Sequence, residues 1–554
     1  MTMRKLSVKL LFVVLLAGGV LAWSQATTGS ISGHVTDPAG SVLQGAQIAA
    51  HEVDTGIVTT ATTDQSGEFD LTALPPGHYT IAVVAAGFAT ATVPAFELNI
   101  DQKARFDIPM KVGAVTSNVE VSGSAPILQT QGAETGEVIG GRELTDLPLE
   151  GRNFTSLMKL VPGVGDGGGG NNLNLSVNGQ REFSNSVQIN GTEVTGNRNN
   201  DTNVVPSPDA LQEFKMVTST YAPEFGRASG GSVLIQTKSG SNNYHGSAYF
   251  FYRPTATAAN NTFAAPGTTP TLVQKIYGAT IGGPIKKDKA FLFLAYEGNR
   301  LQNSYSYLGN TPPVNQVTFD SAGNANLSKL TDPYTGNQDP IFDPVFFNNN
   351  YYSEQFPGNI IPAARVSPAG KQILLNLFPT PQNNSFFTNF AVQQAYTDNN
   401  NVANLRTDYT FSQQNRVYLT YDAEQGDTST ADPYAGHIPV PGGGSGDSGD
   451  LTSFENNVIS LKYDHVFSST LLNEVGGSYF LSTVSQNSPL AGSSLATKWG
   501  IKNVVIPGFP STNNIPQIQF QSGPTVGGST YKPLTFRDKD LTFLEGLTLS
   551  LIHI

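Results

Sequence analysis

The sequence predicts a mainly β chain in three parts: a β-sandwich, a small α+β domain, and the strands of an incomplete transmembrane antiparallel β-barrel. Three observations predict it. Short alternating runs are closed repeatedly by clusters of Asp, Asn, Gly and Pro, the chemistry of turns between strands. Glycine (57), proline (34), phenylalanine (31) and tyrosine (20) are abundant while only 13% of residues are charged, which suits strands and polar turns better than long helices. Beyond the N-terminus no apolar run is long enough for a spanning helix. A barrel is the membrane architecture compatible with so modest a hydropathy, because its lipid-facing and lumen-facing residues alternate.

The first element is the N-terminus. Arg4, Lys5 and Lys9 precede an apolar run from Leu10 to Leu21, and Ser24-Gln25-Ala26 offers small residues at a cleavage point. This is the pattern of a secretory signal peptide over residues 1–26, and the run is too short for a membrane anchor helix. The chain has no cysteine, so burial and strand pairing must stabilise it after export, and it has no residue for a lipid anchor. A net charge of −12 argues against a general affinity for nucleic acid.

Residues 28–112 read as a compact antiparallel sandwich. "GSISGHVTD" ends at Asp37-Pro38-Ala39-Gly40; "GAQIAAHEV" and "GIVTTATT" end at Asp64-Gln65-Ser66-Gly67; "GEFDLTAL" ends at Pro75-Pro76-Gly77; "HYTIAVVAAGF" and "KARFDIPMKV" complete the set. The stretches "SGHVTDPAGSVLQGAQIAAHEVDTG" and "TTDQSGEFDLTALPPGHYTIAVVAAGF" are similar to the carboxypeptidase regulatory-like domain. That resemblance implies a transthyretin-like β-sandwich, a carbohydrate-binding-like fold with an accessory or docking role, the alternative being a spacer that binds nothing. It does not imply peptidase activity, since His51-Glu52 lacks the second histidine of a zinc-protease helix.

From residue 113 to 243 the texture changes. In "GRELTDLPLEGRNFTSLMKLVPGV" the spacing of Phe154, Leu157, Met158, Leu160 and Val161 predicts a helix, with Asn153 as cap and Pro162-Gly163 as terminator. The loop from Gly165 to Asn174 is almost entirely Gly, Asn and Asp. "NLSVNGQREFSNSVQINGTEVT" reads as two strands around a polar turn, and "SPDALQEFKMVTSTYAPEFGRASGGSVLIQTKSGSN" as a short helix capped by Asp209 followed by two strands.

Three ordered stretches, "LPLEGRNFTSLMKLVPGV", "SVNGQREFSNSVQINGTEV" and "YAPEFGRASGGSVLIQTKSGSNNYHGSAYFFYR", resemble the plug domain of TonB-dependent outer-membrane receptors of the Oar-like type. The resemblance marks Gly151, Arg152 and Asn153, and then Tyr221, Glu224, Gly226, Arg227, Gly230 and Gly231, as the plug's motif residues. The glycines of the last stretch would let the final plug strands pack closely before the first barrel strand.

After Asn243 the runs lengthen. "YHGSAYFFYR", "VQKIYGATIGGPI" and "KAFLFLAYEGNR" each approach the length of a barrel strand, the last two joined by a charged turn at Lys286–Lys289. "NLRTDYTFS", "NRVYLTYDAE", "NNVISLKYDHVF" and "TLLNEVGGSYFLSTV" follow, with tight turns at Gln413-Gln414-Asn415 and Ser468-Ser469. The Asn- and Pro-rich tract from Gln302 to Asn400 reads as a long extracellular loop, and "FPGNIIPAARVSPAGKQIL" within it is also similar to Oar-like receptors. About seven or eight strands precede Ile554, fewer than the roughly 22 of the family and without its aromatic C-terminal residue, so the sequence reads as an N-terminal fragment.

No catalytic constellation stands out. Gly167–Gly170 lacks the spacing of a nucleotide loop, and neither Asp201 to Asn203 nor Asp447 to Asp450 has the ordered ligands of a calcium loop. The sequence therefore points to no enzyme, cofactor or metal. The resemblance implies instead plug-gated uptake driven by a periplasmic TonB-type energy-transducing partner. That partner would pair by strand addition with a segment called the TonB box. The candidate is "VTSNVEV", with Val115, Thr116, Val119 and Val121, the alternative being an ordinary plug strand or linker. Tyr- and Asn-rich loops suit a large polar ligand such as an oligosaccharide or peptide. A surface carbohydrate-binding or adhesion protein without transport is the second reading. An apolar, aromatic-girdled outer belt on Tyr244–Arg300 separates the two, because an adhesin would carry polar faces there.

Overall fold

The computed structural model describes residues 28–113, 118–120, 134–166, 175–196, 204–219, 228–259, 270–332, 335–347, 350–385, 388–431, 450–468, 471–487, 493–507, 515–516, 518–519, 525–526 and 533–549. The signal-peptide residues and the Gly167–Gly170 run lie outside them.

The sandwich consists of a three-stranded and a five-stranded sheet. Gly29–Thr36 lies between Glu68–Leu74 and Lys103–Pro109 in the first. In the second, Gln47–Glu52 pairs with Val58–Thr62 and Gly77–Val84, followed by Thr90–Leu98 and the short strand Asn118–Glu120. Ile31, Val35, Ile48, Leu71, Tyr79 and Ile81 fill the space between the sheets. Two expectations need correction. The sandwich is not wholly antiparallel, because Gly29–Thr36 pairs in parallel with Lys103–Pro109. The strand Thr90–Leu98 has no counterpart in the sequence reading: Pro94 interrupts its pattern, and the register shifts there between the Ile81–Val93 and Tyr79–Phe96 pairs.

The α+β unit is built on a mixed five-stranded sheet. In order, its strands are Thr192–Glu193, Ser186–Ile189, Ser232–Thr237, Leu211–Ser219 and Thr135–Gly140. Its core contains Phe154, Leu157, Met158, Phe214, Met216 and Ile235. The expected helix after Asp209 is not present. Pro208–Ala210 forms a single 3-10 turn, and the strand Leu211–Ser219 starts directly after it, buried on both faces although Glu213 and Lys215 alternate with Phe214 and Met216. The helix near Asn153 spans only Thr155–Met158, and Leu160 lies beyond it, 68% exposed, rather than on its buried face.

Eight antiparallel strands form one sheet in chain order: His245–Arg253, Leu272–Lys286, Ala290–Gly309, Phe390–Ser412, Asn415–Thr430, Asp450–Ser468, Leu471–Asn487 and Leu534–Leu549. The first and last do not pair, so this wall is an open part of a barrel. The Gln302 to Asn400 tract is shorter as a loop than expected. The flanking strands run to Gly309 and start at Phe390, reaching 20 and 23 residues, well past the ~9–11 that cross a bilayer. Among the residues between them, the helix Pro368–Leu377 is capped by Ser367 Oγ, which accepts from the Gly370 N–H (3.1 Å). With Phe378 it packs against Leu495 and Trp499 of the loop before the last strand.

Side chains alternate across the wall. Ile281, Leu294, Leu419, Ile459, Leu461 and Phe543 point outward and are exposed, whereas Arg406, Arg416, Asp422, Glu424, Asn456 and Asp464 point inward and are buried. At the short-turn end the outer face carries Tyr409 edge-on to Phe411 (4.4 Å between centroids), and also Tyr463 and Phe467. On His245–Arg253 the rings of Phe250 and Tyr252 are exposed as well. This is an outer belt fit for lipid with aromatics at its edge. Leu461→Arg, placed in that belt, is expected to cost about 2–4 kcal/mol in lipid, and the inward Ser460→Ala less than about 1 kcal/mol. Urea titration of the refolded protein in vesicles checks the contrast.

Candidate functional site

The site is the seam where the α+β unit meets the barrel wall, and its centre is Arg152. Gly151 (φ 63°) and Arg152 (φ 56°) both take left-handed backbone, which turns the Arg152 side chain away from its own domain. Asn153 then starts the short helix: its Oδ1 accepts from the Thr155 N–H (3.0 Å) and the Thr155 hydroxyl (2.7 Å). The Arg152 guanidinium donates to Asp209 Oδ2 and lies with Nε 3.5 Å from Glu297 Oε2 on the third barrel strand. It also stacks over Tyr249 and Phe251 of the first barrel strand, 4.5 and 4.6 Å from their centroids. The Tyr249 hydroxyl donates to Glu297 Oε2 (2.8 Å), and the Ser247 hydroxyl lies 3.1 Å from Asp209 Oδ1. One buried cation thus joins two strands of the wall to one turn of the inner domain.

Further along the seam, Arg406 donates through Nη1 to the Thr237 carbonyl (2.8 Å) and pairs with Asp408 (2.9 Å), which accepts from the Ser239 hydroxyl (2.6 Å). Glu424 accepts from the Val205 N–H (2.9 Å) and from Asn400 (2.7 Å). Val458 and Phe480 of the wall complete the inner domain's own apolar core. These are polar, reversible contacts laid over a small apolar patch, an arrangement that holds a domain in place yet can be broken.

The sandwich sits at the short-turn end. Arg416 donates to the Ala73 carbonyl (3.0 Å) and Thr59 Oγ1 (2.7 Å), and the Asn242 N–H donates to the Asp54 carbonyl (2.9 Å). The sandwich meets the inner domain through its Asn99–Gln102 turn. There the Ile100 N–H donates to Glu213 (2.5 Å), and Lys215 bridges Asp101 and Glu134 at 2.7 Å each. Burial pushes the Glu213 carboxyl up to about 7, against the pull of the Ile100 N–H, and burial likewise raises Asp101. An acid raised in the folded state binds its proton more tightly than the unfolded chain does. The stability it adds is therefore complete below about pH 4.3 and lost as pH rises through 7. Glu213→Gln, which keeps an acceptor for Ile100, is expected to flatten the fall in melting temperature between pH 5 and 8. It should leave the pH 5 value nearly unchanged; calorimetry at both pH values is the check.

Of the residues marked in advance, Gly151, Arg152 and Asn153 fall at the seam. Gly230 and Gly231 lie in the inner domain: a Cβ on Gly230 would stand 2.4 Å from Asn185 Oδ1, and one on Gly231 would stand 2.9 Å from Met216 Cε and 3.0 Å from the Val217 carbonyl. Tyr221, Glu224, Gly226 and Arg227 lie outside the described residues, as do Val115, Thr116 and Val121, Asp201 to Asn203 and Asp447 to Gly449. Asp209 is no helix cap; it is the acceptor for Arg152. Glu297, Tyr249, Arg406, Asp408 and Glu424 escaped sequence reasoning. A signal did exist for two of them: Arg406 and Asp408 put two charges on one face of a strand that otherwise reads as lipid-spanning. Among the described residues no group of His, Asp and Glu is arranged to hold a metal ion, and no helix is long and apolar enough to cross a membrane.

A plug-like domain pinned inside an outward-apolar wall defines a plugged outer-membrane barrel. The family profile for the outer membrane beta barrel domain matches residues 236–551, that for the TonB-dependent receptor plug domain residues 130–233, and that for the carboxypeptidase regulatory-like domain residues 30–111. The chain belongs to the TonB-dependent outer-membrane receptors of the Oar-like type. It is 28% identical over 280 residues to the TonB-dependent transporter Oar of Myxococcus xanthus. The match covers 48% of this chain and 25% of that protein, so the chain spans about a quarter of the curated relative it matches. Among solved structures it is similar to the siderophore receptor PirA from Acinetobacter baumannii (14% identity, TM-score 0.36, 74% of this chain and 44% of that one). It is also similar to the outer membrane transporter YddB from Escherichia coli (10%, TM-score 0.35, 75% and 55%). Both scores are too low to bear on the fold.

Proposed function

We propose that the protein is an outer-membrane transporter in which the domain around Arg152 plugs the barrel and is displaced to admit a large polar solute, an oligosaccharide or a peptide. The observation that supports this reading most is the seam itself. Charge-assisted bonds through Arg152, Arg406 and Glu424 fasten the plug to the wall without the continuous apolar packing that would make it immovable. Such bonds need work from outside the membrane to break. The proposed source is a periplasmic TonB-type protein that pairs with Val115 to Val121, this chain itself being exported behind a cleaved signal peptide.

The test is uptake of a fluorescent oligosaccharide and a fluorescent peptide into the periplasm of cells carrying the gene. The expected result is uptake of at least one probe that stops when a protonophore collapses the proton gradient and when residues 115–121 are deleted. Uptake that survives both treatments would mean a passive pore. Surface binding of a probe with no entry would favour the adhesion reading.

A further inference from the structure

The strand Asn118–Glu120 is the described part of the proposed energy-coupling segment, and it is not free. It forms the fifth strand of a sandwich sheet, running parallel to Thr90–Leu98 with Thr90 opposite Asn118, Ala91 opposite Val119 and Thr92 opposite Glu120. Thr90–Thr92 holds one edge of the segment and the other lies at the end of the sheet, so a partner that takes the inner edge, or that must draw the segment away to pull on the plug, has to break the Thr90–Thr92 pairing. The sandwich's other ties are to the plug and the barrel. Its Asn99–Gln102 turn is bonded to Glu213 and Lys215 of the plug, and Lys215 also holds Glu134, the first described residue after the segment. Arg416 and Asn242 fix the sandwich to the barrel's short-turn end. The segment is therefore parked on a body that is itself anchored, and a pull on it loads the sandwich edge before it loads the plug.

We propose that the edge strand Thr90–Leu98 is an internal docking surface for the coupling segment. The sandwich holds this segment back by strand addition, and a TonB-type partner gains it only when the Thr90–Thr92 pairing opens. This rests on the reading of Val115 to Val121 as the coupling segment. It gives the sandwich a role that neither a spacer nor a carbohydrate-binding module would have.

The chain contains no cysteine, so an engineered pair reports without background. Thr92→Cys with Glu120→Cys places two thiols opposite each other across the proposed contact. Gln47→Cys with Thr62→Cys, in register on two exposed neighbouring positions, is the control for folding and oxidation. The full chain is oxidised with copper phenanthroline and then offered the purified periplasmic domain of a TonB protein. The expected result is a cross-link in both pairs, with capture by the TonB domain lost at least tenfold in the oxidised 92/120 protein, restored by reductant, and unaffected in the control.

A control that cross-links while the 92/120 pair does not would overturn the docking. Equal capture of oxidised and reduced 92/120 protein would overturn the competition. In that case deletion of residues 115–121 decides which idea failed. Capture lost on deletion keeps the coupling segment and discards the holding, whereas capture that survives deletion discards the coupling segment itself.

Discussion

Arg152→Ala is expected to loosen the plug from the barrel wall and to cost about 3–5 kcal/mol, because it leaves two carboxylates buried without their cation. Asp209 and Glu297 are each nearly nine-tenths buried, on opposite sides of the seam, and only the guanidinium lies between them. Alanine would also give up the stacking on Tyr249 and Phe251, while the left-handed strain that Arg152 already carries would stay the same. Arg152→Gly keeps the electrostatic loss but relieves the strain present in the wild type, so it should cost about 1 kcal/mol less than alanine. Arg152→Lys should recover only part, since an ammonium cannot bond one acid, face another and stack on two rings at once. Proteolysis of the plug in native outer membranes reads the result: cleavage should be much faster in the alanine variant. Asp209→Asn with Glu297→Gln on the Arg152→Ala background should slow it again. Wild-type resistance in the alanine variant would mean that the apolar patch at Val458 and Phe480 holds the plug alone.

The second large effect is expected at Gly240, where the chain leaves the plug for the wall. A Cβ there would stand 2.5 Å from the Leu292 carbonyl oxygen, 2.6 Å from the Gly283 carbonyl oxygen and 2.8 Å from the Leu292 nitrogen. All three belong to the backbone of paired barrel strands and cannot swing aside as a side chain would. Gly240→Ala should therefore prevent the crossing from seating, lowering folded protein in the membrane to a small fraction of wild type. Gly165→Ala, whose Cβ would meet only the Ser176 carbonyl at 4.0 Å, should fold normally. The yield of membrane-inserted, protease-resistant protein checks both.

The sequence made the large divisions legible because each rests on a local rule. The alternation along "NRVYLTYDAE" and the two-residue turn before it fix a barrel hairpin without further context. Asn153 announces a helix start by its side-chain chemistry alone. What escaped depends on partners distant in the chain. Nothing near Arg152 says that Tyr249 and Glu297 will close on it, since the contact exists only once the plug is inside the wall. Leu211–Ser219 was hidden for a related reason: neighbours cover both its faces, so the alternation of Glu213 and Lys215 with Phe214 and Met216 does not mark a solvent side. The strand Asn118–Glu120 is still harder to foresee, being three residues long and ordered by an edge some thirty positions earlier.

The strand lengths fix the height at which a solute is first met. A strand of 23 residues such as Phe390–Ser412 measures about 75 Å, or about 50 Å of height at a 45° tilt, against about 25 Å of hydrocarbon. At this tallest strand roughly half of the height therefore stands clear of the lipid, while His245–Arg253, with 9 residues, barely spans it. The wall's rim is stiffened where the helix Pro368–Leu377 packs against Leu495 and Trp499.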